Sequence, residues 1–393
     1  MKCNGRVPGS SEASEVSFDE TIHSVEPLLA DAPADVYLAP GFIDLQVNGF
    51  AGVDYNSPRT PHAEIGASIR AMFVTGVTRF FPTVITNAPE EMTGALRNLA
   101  RARESLPEGG AMEAFHVEGP YISPEDGPRG AHPQRWVRPP DFDEFRRFQD
   151  AAEGNIRLLT MSPEWPGSAA FIEKVVRDGV VVSIGHTKAG AQEIADAVNA
   201  GASLSTHIGN GAHAVLPRHP NYIWDQLAED RLAASFIVDG IHLPSQFLKV
   251  ALRAKGLERS LLVTDAVMPA GCAPGRYKLG EVDVELHDDG SVRLLGGTRL
   301  AGSALLMHHA IGNLMRLAGV SLRDAIMMAT RNPARVGRVS GRLRGLTAGE
   351  RADLVRFRES AGVVEILETW ISGRRVWGGP PGPQPAPWPA SSG

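Results

Sequence analysis

Residues 115–123 read FHVEGPYIS. An apolar run ends in a carboxylate, and a Gly-Pro pair then breaks the strand. On an extended chain His116 and Glu118 project from the same face, so one short strand carries two ionisable side chains to its end. A buried carboxylate is costly unless it is paired or bound to a metal. Taken alone, Glu118 is an ion-paired strand end; joined by partners from neighbouring strands, it is a metal ligand. His116 is assigned to the strand's interior surroundings and not to a ligand set.

Working outward, the same unit recurs. β-rich runs fall at 36–47 (VYLAPGFIDLQV), 78–85 (TRFFPTVI), 113–119 (EAFHVEG), 156–163 (IRLLTMSP), 180–187 (VVVSIGHT), 203–210 (SLSTHIGN), 234–242 (ASFIVDGIH) and 261–267 (LLVTDAV). Most intervals between them carry apolar residues at helical spacing, such as AGAQEIADAVNA (189–200) and PSQFLKVALRAKG (244–256). NYIWDQLAED, before the seventh run, is the weakest helical pattern. Strand–helix alternation repeated eight times predicts a (β/α)8 TIM-like barrel over residues 39–344. Strand-like stretches flank it, EVSFDETIHSV on one side and RADLVRF, VVEILETW and GRRVW on the other. They predict a small β-sandwich domain built from residues 1–38 and 345–393. The N-terminal segment is short and Ser-rich, which suggests a trimmed version of that unit. The Pro/Gly-rich end, 379–393, is expected to be disordered.

Composition narrows the class. With 43% hydrophobic residues in 393, the chain suits a globular enzyme and not a disordered one. Two cysteines, Cys3 and Cys272, form no CxxC pair and no disulfide framework, which suits a reducing compartment. A net charge of −6 with interspersed signs offers no basic stripe for nucleic acid. No long apolar run or signal-type start is present, so a cytoplasmic location and no membrane association are expected.

The chemistry-bearing residues fall at strand ends. Glu118 closes the third run, His186 the fifth and His242 the seventh, while His207 lies late in the sixth and Asp265 late in the eighth. In a parallel barrel these ends converge on the C-terminal face, where such enzymes build their sites. A lone His in an apolar run is more often a hydrogen-bonded core residue, and Asp265 in TDA could cap a helix. Convergence shifts the balance: two imidazoles and one carboxylate give three protein ligands and leave one position for water. Asp265 is then placed to take a proton from that water.

At this point the sequence resembles the amidohydrolase superfamily and, within it, the family of N-acetylglucosamine-6-phosphate deacetylases. The resemblance runs from about residue 38 to 356. It is carried by PGFIDLQVNGFAG (40–52), HVEGPYISPEDGPRGAHP (116–133), GHT (185–187), THIGN (206–210), DGIH (239–242), VTDA (263–266), LAGSAL (300–305) and NPARVGRVSGRLRGLTAGERADLV (332–355). It implies Glu118, His186 and His207 as ligands of one divalent metal ion, Zn2+ ahead of Fe2+, Mn2+ or Co2+. It further implies Asp265 as acid/base and His132 as hydrogen-bond partner of the acetyl carbonyl. Asn210, Gly211 and His242 are implied to hold the sugar and its phosphate. The implied substrate is a small amino sugar and the implied assembly a homodimer.

Departures from the family pattern refine this. Where many amidohydrolases carry HxH on the first strand, this chain has Gln46-Val47-Asn48, so the resemblance points to the one-metal subtype, with Gln46 and Asn48 near the substrate. The fourth strand, ending TMSPEW, offers no lysine to bridge two metals, in agreement. After THIGN the family pattern gives way to GAHAVLPRHPNYIWDQL, in which Arg218 and His219 are candidate phosphate cations on what is otherwise an exposed loop. The expected reaction is hydrolysis of the N-acetyl group of N-acetylglucosamine 6-phosphate. Rival readings are a deacetylase for an unphosphorylated or other N-acyl amino sugar, another amidohydrolase, and a non-catalytic barrel acting as a binding protein. The loops EDGPRGAH and 268–300 are expected to cover the site.

Overall fold

The computed structural model describes residues 1–28, 33–279 and 282–378, so the proline-rich end from 379 lies outside the described residues. Strands Phe42–Val47, Val77–Ile85, Phe115–Glu118, Ile156–Met161, Val181–Ile184, Leu204–Ser205, Ala233–Phe236 and Ser260–Leu262 pair in chain order, each parallel to the next. Their residues are buried almost throughout, as expected for strands covered by helices on one side and by the barrel interior on the other. The ring closes between its last and first strands through a parallel bridge, Val47 to Ala266. Beside that seam Thr264 donates twice to the Asp44 carboxylate, from its backbone N–H (3.2 Å) and its hydroxyl (2.5 Å).

The helices between strands are amphipathic. Ser245–Lys255, for example, buries Leu248, Ala251, Leu252 and Lys255 at spacings of three and four. The weak NYIWDQLAED pattern does form a helix, Tyr222–Ala228, because Asn221 Oδ1 caps it by accepting from the N–H groups of Ile223 and Trp224.

The first sequence run, 36–47, serves two sheets. Val36–Pro40 leaves the barrel and pairs antiparallel with Leu354–Ser360, whereas Phe42–Val47 enters it. Gly41 sits at the break, where a Cβ would collide with the Thr78 side chain. The β-unit of both chain ends is one hydrogen-bonded sheet of seven strands. Its order is Arg374–Trp377, Val363–Ile371, Leu354–Ser360, Val36–Pro40, Lys2–Arg6, Ala13–Phe18 and Ile22–Pro27. The N-terminal segment supplies four of these strands. Val16, Phe18, Ile22, Leu38, Leu354 and Trp370 fill its core.

The 268–300 excursion is not a loop. It folds as a four-stranded antiparallel sheet, Gly275–Leu279, Val282–Leu286, Ser291–Leu294 and Leu300–Ser303, around Val284, Leu286, Val292 and Ala301. Its Asp289-Gly290 turn between alternating apolar residues is a hairpin signal that the sequence carried.

At the N-terminal ends of the strands a buried ion network joins barrel to sheet. Asp353 accepts from Arg79 Nε and from Arg342 Nη1, both at 2.8 Å.

Candidate active site

The barrel's C-terminal face brings together side chains that are far apart in sequence. Glu118 Oε1 lies 3.1 Å from His186 Nε2 and 3.0 Å from His207 Nε2, and the two nitrogens are 3.1 Å from each other. All three residues are buried. Among the described residues they are the group of three or more His, Cys, Asp or Glu side chains positioned to hold an ion. Local backbone aims them: His186 (φ 50°), His207 (φ 25°) and Asp265 (φ 50°) all adopt left-handed conformations just past their strands. Such conformations cost on the order of 1–3 kcal/mol each in non-glycine residues and persist where the surroundings fix them.

The hydrogen bonding of this cluster tests whether a cation fits. His186 Nδ1 lies 2.8 Å from the Pro128 carbonyl. A carbonyl only accepts, so the ring proton is on Nδ1 and the lone pair on Nε2. That lone pair faces a carboxylate oxygen and a second imidazole nitrogen at contact distance. Two acceptor atoms and a second imidazole nitrogen converging in a buried site are stable only with a proton or a cation among them. The electrostatics of the cluster follow from the same proximity. Burial alone would raise Glu118, but the close approach of His186 and His207 outweighs it and holds its carboxyl well below the usual range. Burial alone would lower His207, but Glu118 outweighs it and raises the ring. Two imidazole nitrogens and one carboxylate oxygen are a donor set suited to Zn2+ with an open position.

Asp265 stands beside this cluster. Gln46 Nε2 donates to Glu118 Oε1 (2.9 Å) and to Asp265 Oδ1 (3.1 Å), and Asn48 Nδ2 donates to the same Asp265 oxygen (2.7 Å). The side-chain amides expected near substrate are thus hydrogen-bonded to the carboxylates themselves. Burial and then the Glu118 charge push Asp265 up to about 6, which places it in the range of a working general base.

Other candidates surround the cluster. His132 packs edge-on against His186, ring centroids 4.5 Å apart, and burial followed by the His186 charge pushes it down to about 3. His132 Nδ1 lies 2.8 Å from Thr86 Oγ1. His242 Nδ1 lies 2.5 Å from Asp239 Oδ2, and Asp239 Oδ1 also accepts from the N–H groups of Ile241 and His242. Gly211 (φ 55°) lies flat against His186, where a Cβ would come within 2.6 Å of the ring. Asn210 donates to the His207 carbonyl at 3.2 Å. Arg218 and His219 are exposed on their loop, outside this hydrogen-bonded set. His116 lies in the barrel interior, 2.8 Å from Thr160 Oγ1, as expected.

Three groups here were not singled out from sequence: Thr86, the Pro128 carbonyl and Asp239. Thr86 follows the second barrel strand and Asp239 lies in DGIH, so position at a strand's C-terminal end was the available signal. The carbonyl had none.

A (β/α)8 barrel whose C-terminal face gathers two histidines, a ligand-like glutamate and a raised aspartate defines a metal-dependent hydrolase of the amidohydrolase type. The chain matches the amidohydrolase family over residues 37–376 and belongs to it. It is 33% identical over 327 residues to the N-acetylglucosamine-6-phosphate deacetylase of Bacillus subtilis, covering 82% of this chain and 81% of that one. It is 35% identical over 357 residues to the Homo sapiens protein of the same name, covering 86% and 83%. Among solved structures, the N-acetyl-D-glucosamine-6-phosphate deacetylase of Mycobacterium smegmatis superimposes with a TM-score of 0.85 at 27% identity, covering 96% of this chain and 99% of that one. That structure is of an aspartate-to-alanine variant in complex with N-acetyl-D-glucosamine-6-phosphate.

Proposed function

We propose that the chain hydrolyses the N-acetyl group of N-acetylglucosamine 6-phosphate, releasing acetate and glucosamine 6-phosphate. The observation that carries this is the meeting of Glu118 with His186 and His207 within 3.1 Å, tied through Gln46 to Asp265. The names of the relatives supply the substrate. One Zn2+ is assigned to Glu118, His186 and His207, because the amides of Gln46 and Asn48 are occupied by carboxylates and are poor ligands beside imidazole. When bound, the ion supplies Lewis-acid chemistry, lowering the pKa of water toward about 7 and polarising a carbonyl.

The chain's own residues do the rest. Two amide donors fix Asp265 through Oδ1, and its Oδ2 accepts a proton from water as the new C–O bond forms. The same carboxyl returns that proton to the amide nitrogen as the C–N bond breaks, since nitrogen leaves only when protonated. His132 donates to the acetyl oxygen as negative charge develops there. Asn210, the Gly211 backbone and His242 orient the sugar, with His242 pinned through Nδ1 by Asp239 and Arg218 offering a cation for the phosphate. The same reading makes the protein a cytoplasmic homodimer. It divides the chain into a barrel over 39–344 and a β-unit from 1–38 and 345–393. No helix among the described residues is long and apolar enough to cross a membrane, and Cys3 and Cys272 are free thiols.

A second reading, a deacetylase for an unphosphorylated amino sugar, is favoured by the exposed position of Arg218 and His219. Measuring kcat/KM of zinc-loaded protein on N-acetylglucosamine 6-phosphate and on N-acetylglucosamine decides between them. A preference of about 100-fold or more for the phosphate ester, about 2.7 kcal/mol of transition-state binding, supports the first reading. Comparable rates support the second. No turnover of either overturns both.

A further inference from the structure

His132 and His186 lie ring against ring, yet their Nδ1 atoms meet opposite kinds of group. At His186 the partner is the Pro128 carbonyl, 2.8 Å away, which fixes the proton on Nδ1 and the lone pair on Nε2. At His132 the partner is the Thr86 hydroxyl, also 2.8 Å away, which can donate. The other acceptor within reach of Thr86 Oγ1 is the Glu118 carbonyl at 3.5 Å, the outer limit of a hydrogen bond. We propose that Thr86 is a positioning residue whose hydroxyl donates to His132 Nδ1 and thereby places the His132 proton on Nε2, ready to be donated to the acetyl oxygen. The inference rests on the role given to His132 in the proposed reaction.

The tautomer decides the sign of the interaction. A neutral imidazole carries one N–H and one lone pair. With the proton on Nδ1, His132 would turn its lone pair toward an oxygen that is becoming negative, and a stabilising donor would become a repulsive acceptor. The two histidines therefore need opposite tautomers, one to hold a cation and one to stabilise an oxyanion. The Pro128 carbonyl sets the first, and the Thr86 hydroxyl, by donating, sets the second. Thr86 is buried just past strand Val77–Ile85. It reaches His132 because the residue after Glu118 is Gly119 (φ 82°), where a Cβ would collide with Thr86 Oγ1.

Zinc-loaded protein labelled with 15N-histidine allows a direct test, because long-range 1H–15N correlation shows which ring nitrogen carries the proton. His132 is assigned by comparison with His132→Gln. The expected result is His132 protonated on Nε2 and His186 on Nδ1. In Thr86→Val the His132 signal shifts toward the Nδ1–H form or a mixture, and Thr86→Ser restores it. A wild-type His132 protonated on Nδ1, or a Thr86→Val spectrum unchanged at His132, overturns the proposal.

Kinetics add a second arm. Thr86→Val is expected to lower kcat by on the order of 10- to 100-fold with a smaller change in KM, as for other residues that orient an active-site imidazole. Thr86→Ser recovers most of that loss, and Thr86→Val adds nothing further in a His132→Gln background. Additive losses would overturn the coupling. The tautomer is read without turnover, so inactivity toward the acetamido sugar would count against the proposed reaction and leave the spectroscopic arm standing.

Discussion

The two ends of the barrel bury carboxylates in opposite ways. At the N-terminal ends of the strands Asp353 is matched by two arginines that the chain itself supplies, Arg79 and Arg342. At the C-terminal ends Glu118 and Asp265 are linked through one glutamine amide and face imidazoles, with no arginine or lysine among the partners described. The first arrangement balances its carboxylate with the chain's own cations. The second concentrates lone pairs and negative charge and leaves their neutralisation to something that arrives from outside. A buried charge that a protein does not balance from its own side chains marks a place for a ligand.

The comparison can be broken most severely at Asp265. Asp265→Asn keeps the two amides and the metal ligands, so zinc stoichiometry should stay at its wild-type value while kcat falls about 100- to 10,000-fold. Full turnover in that variant would end the assignment.

Asp353→Asn tests the other end. It leaves two buried guanidinium groups without their acceptor, and an expected loss of about 3–5 kcal/mol in denaturant unfolding should leave kcat/KM of the folded protein close to wild type. The pH dependence carries a sign. Burial pushes Asp353 up, but Arg342 and Arg79 outweigh it and hold its carboxyl below the usual range. Stability from such a group is complete above the unfolded value of about 3.9 and is lost as pH falls through that value toward the lower folded one. The gap between wild type and Asp353→Asn should therefore stay constant from about pH 7 to 5 and shrink below about pH 4. A constant gap down to pH 3 would contradict the ion-pair account.

Zinc sharpens the contrast. Added to chelator-treated protein at about 100 times its Kd, it should raise the unfolding free energy by about 2.7 kcal/mol. Asp353→Asn should keep that increment and His186→Asn should lose it. The smallest effect lies outside both regions: Asn221→Ala removes the cap of helix Tyr222–Ala228 and should cost about 1 kcal/mol without altering zinc binding.

The strands of the barrel were legible because each is a buried apolar run with a polar residue at its end. That alternation alone places Glu118, His186, His207 and Asp265 on one face. The role of Gln46 was half legible: its type argued against a second metal, but only the fold reveals that its amide spans Glu118 and Asp265. Thr86 was hidden because a threonine ending a strand is ordinary in composition, and its relevance depends on a loop bringing His132 back to it. The 275–303 sheet is hard to read because its strands are short and interrupt the barrel repeat, although the Asp289-Gly290 hairpin turn marks it. Left-handed backbone at His186, His207 and Asp265 left no trace in the sequence, since these residue types occur mostly with negative φ.

The seam that closes the barrel lies beside the reacting groups. Gln46 belongs to the first strand and Asp265 follows the last, 219 positions later, and their hydrogen bond forms only where those strands meet. During synthesis the ribosome must therefore deliver nearly the whole barrel before Asp265 can dock against Gln46. Glu118, His186 and His207 all precede the last strand in the chain, and Asp265 joins them only where that strand meets the first. The candidate site is thus completed by the same contact that closes the ring.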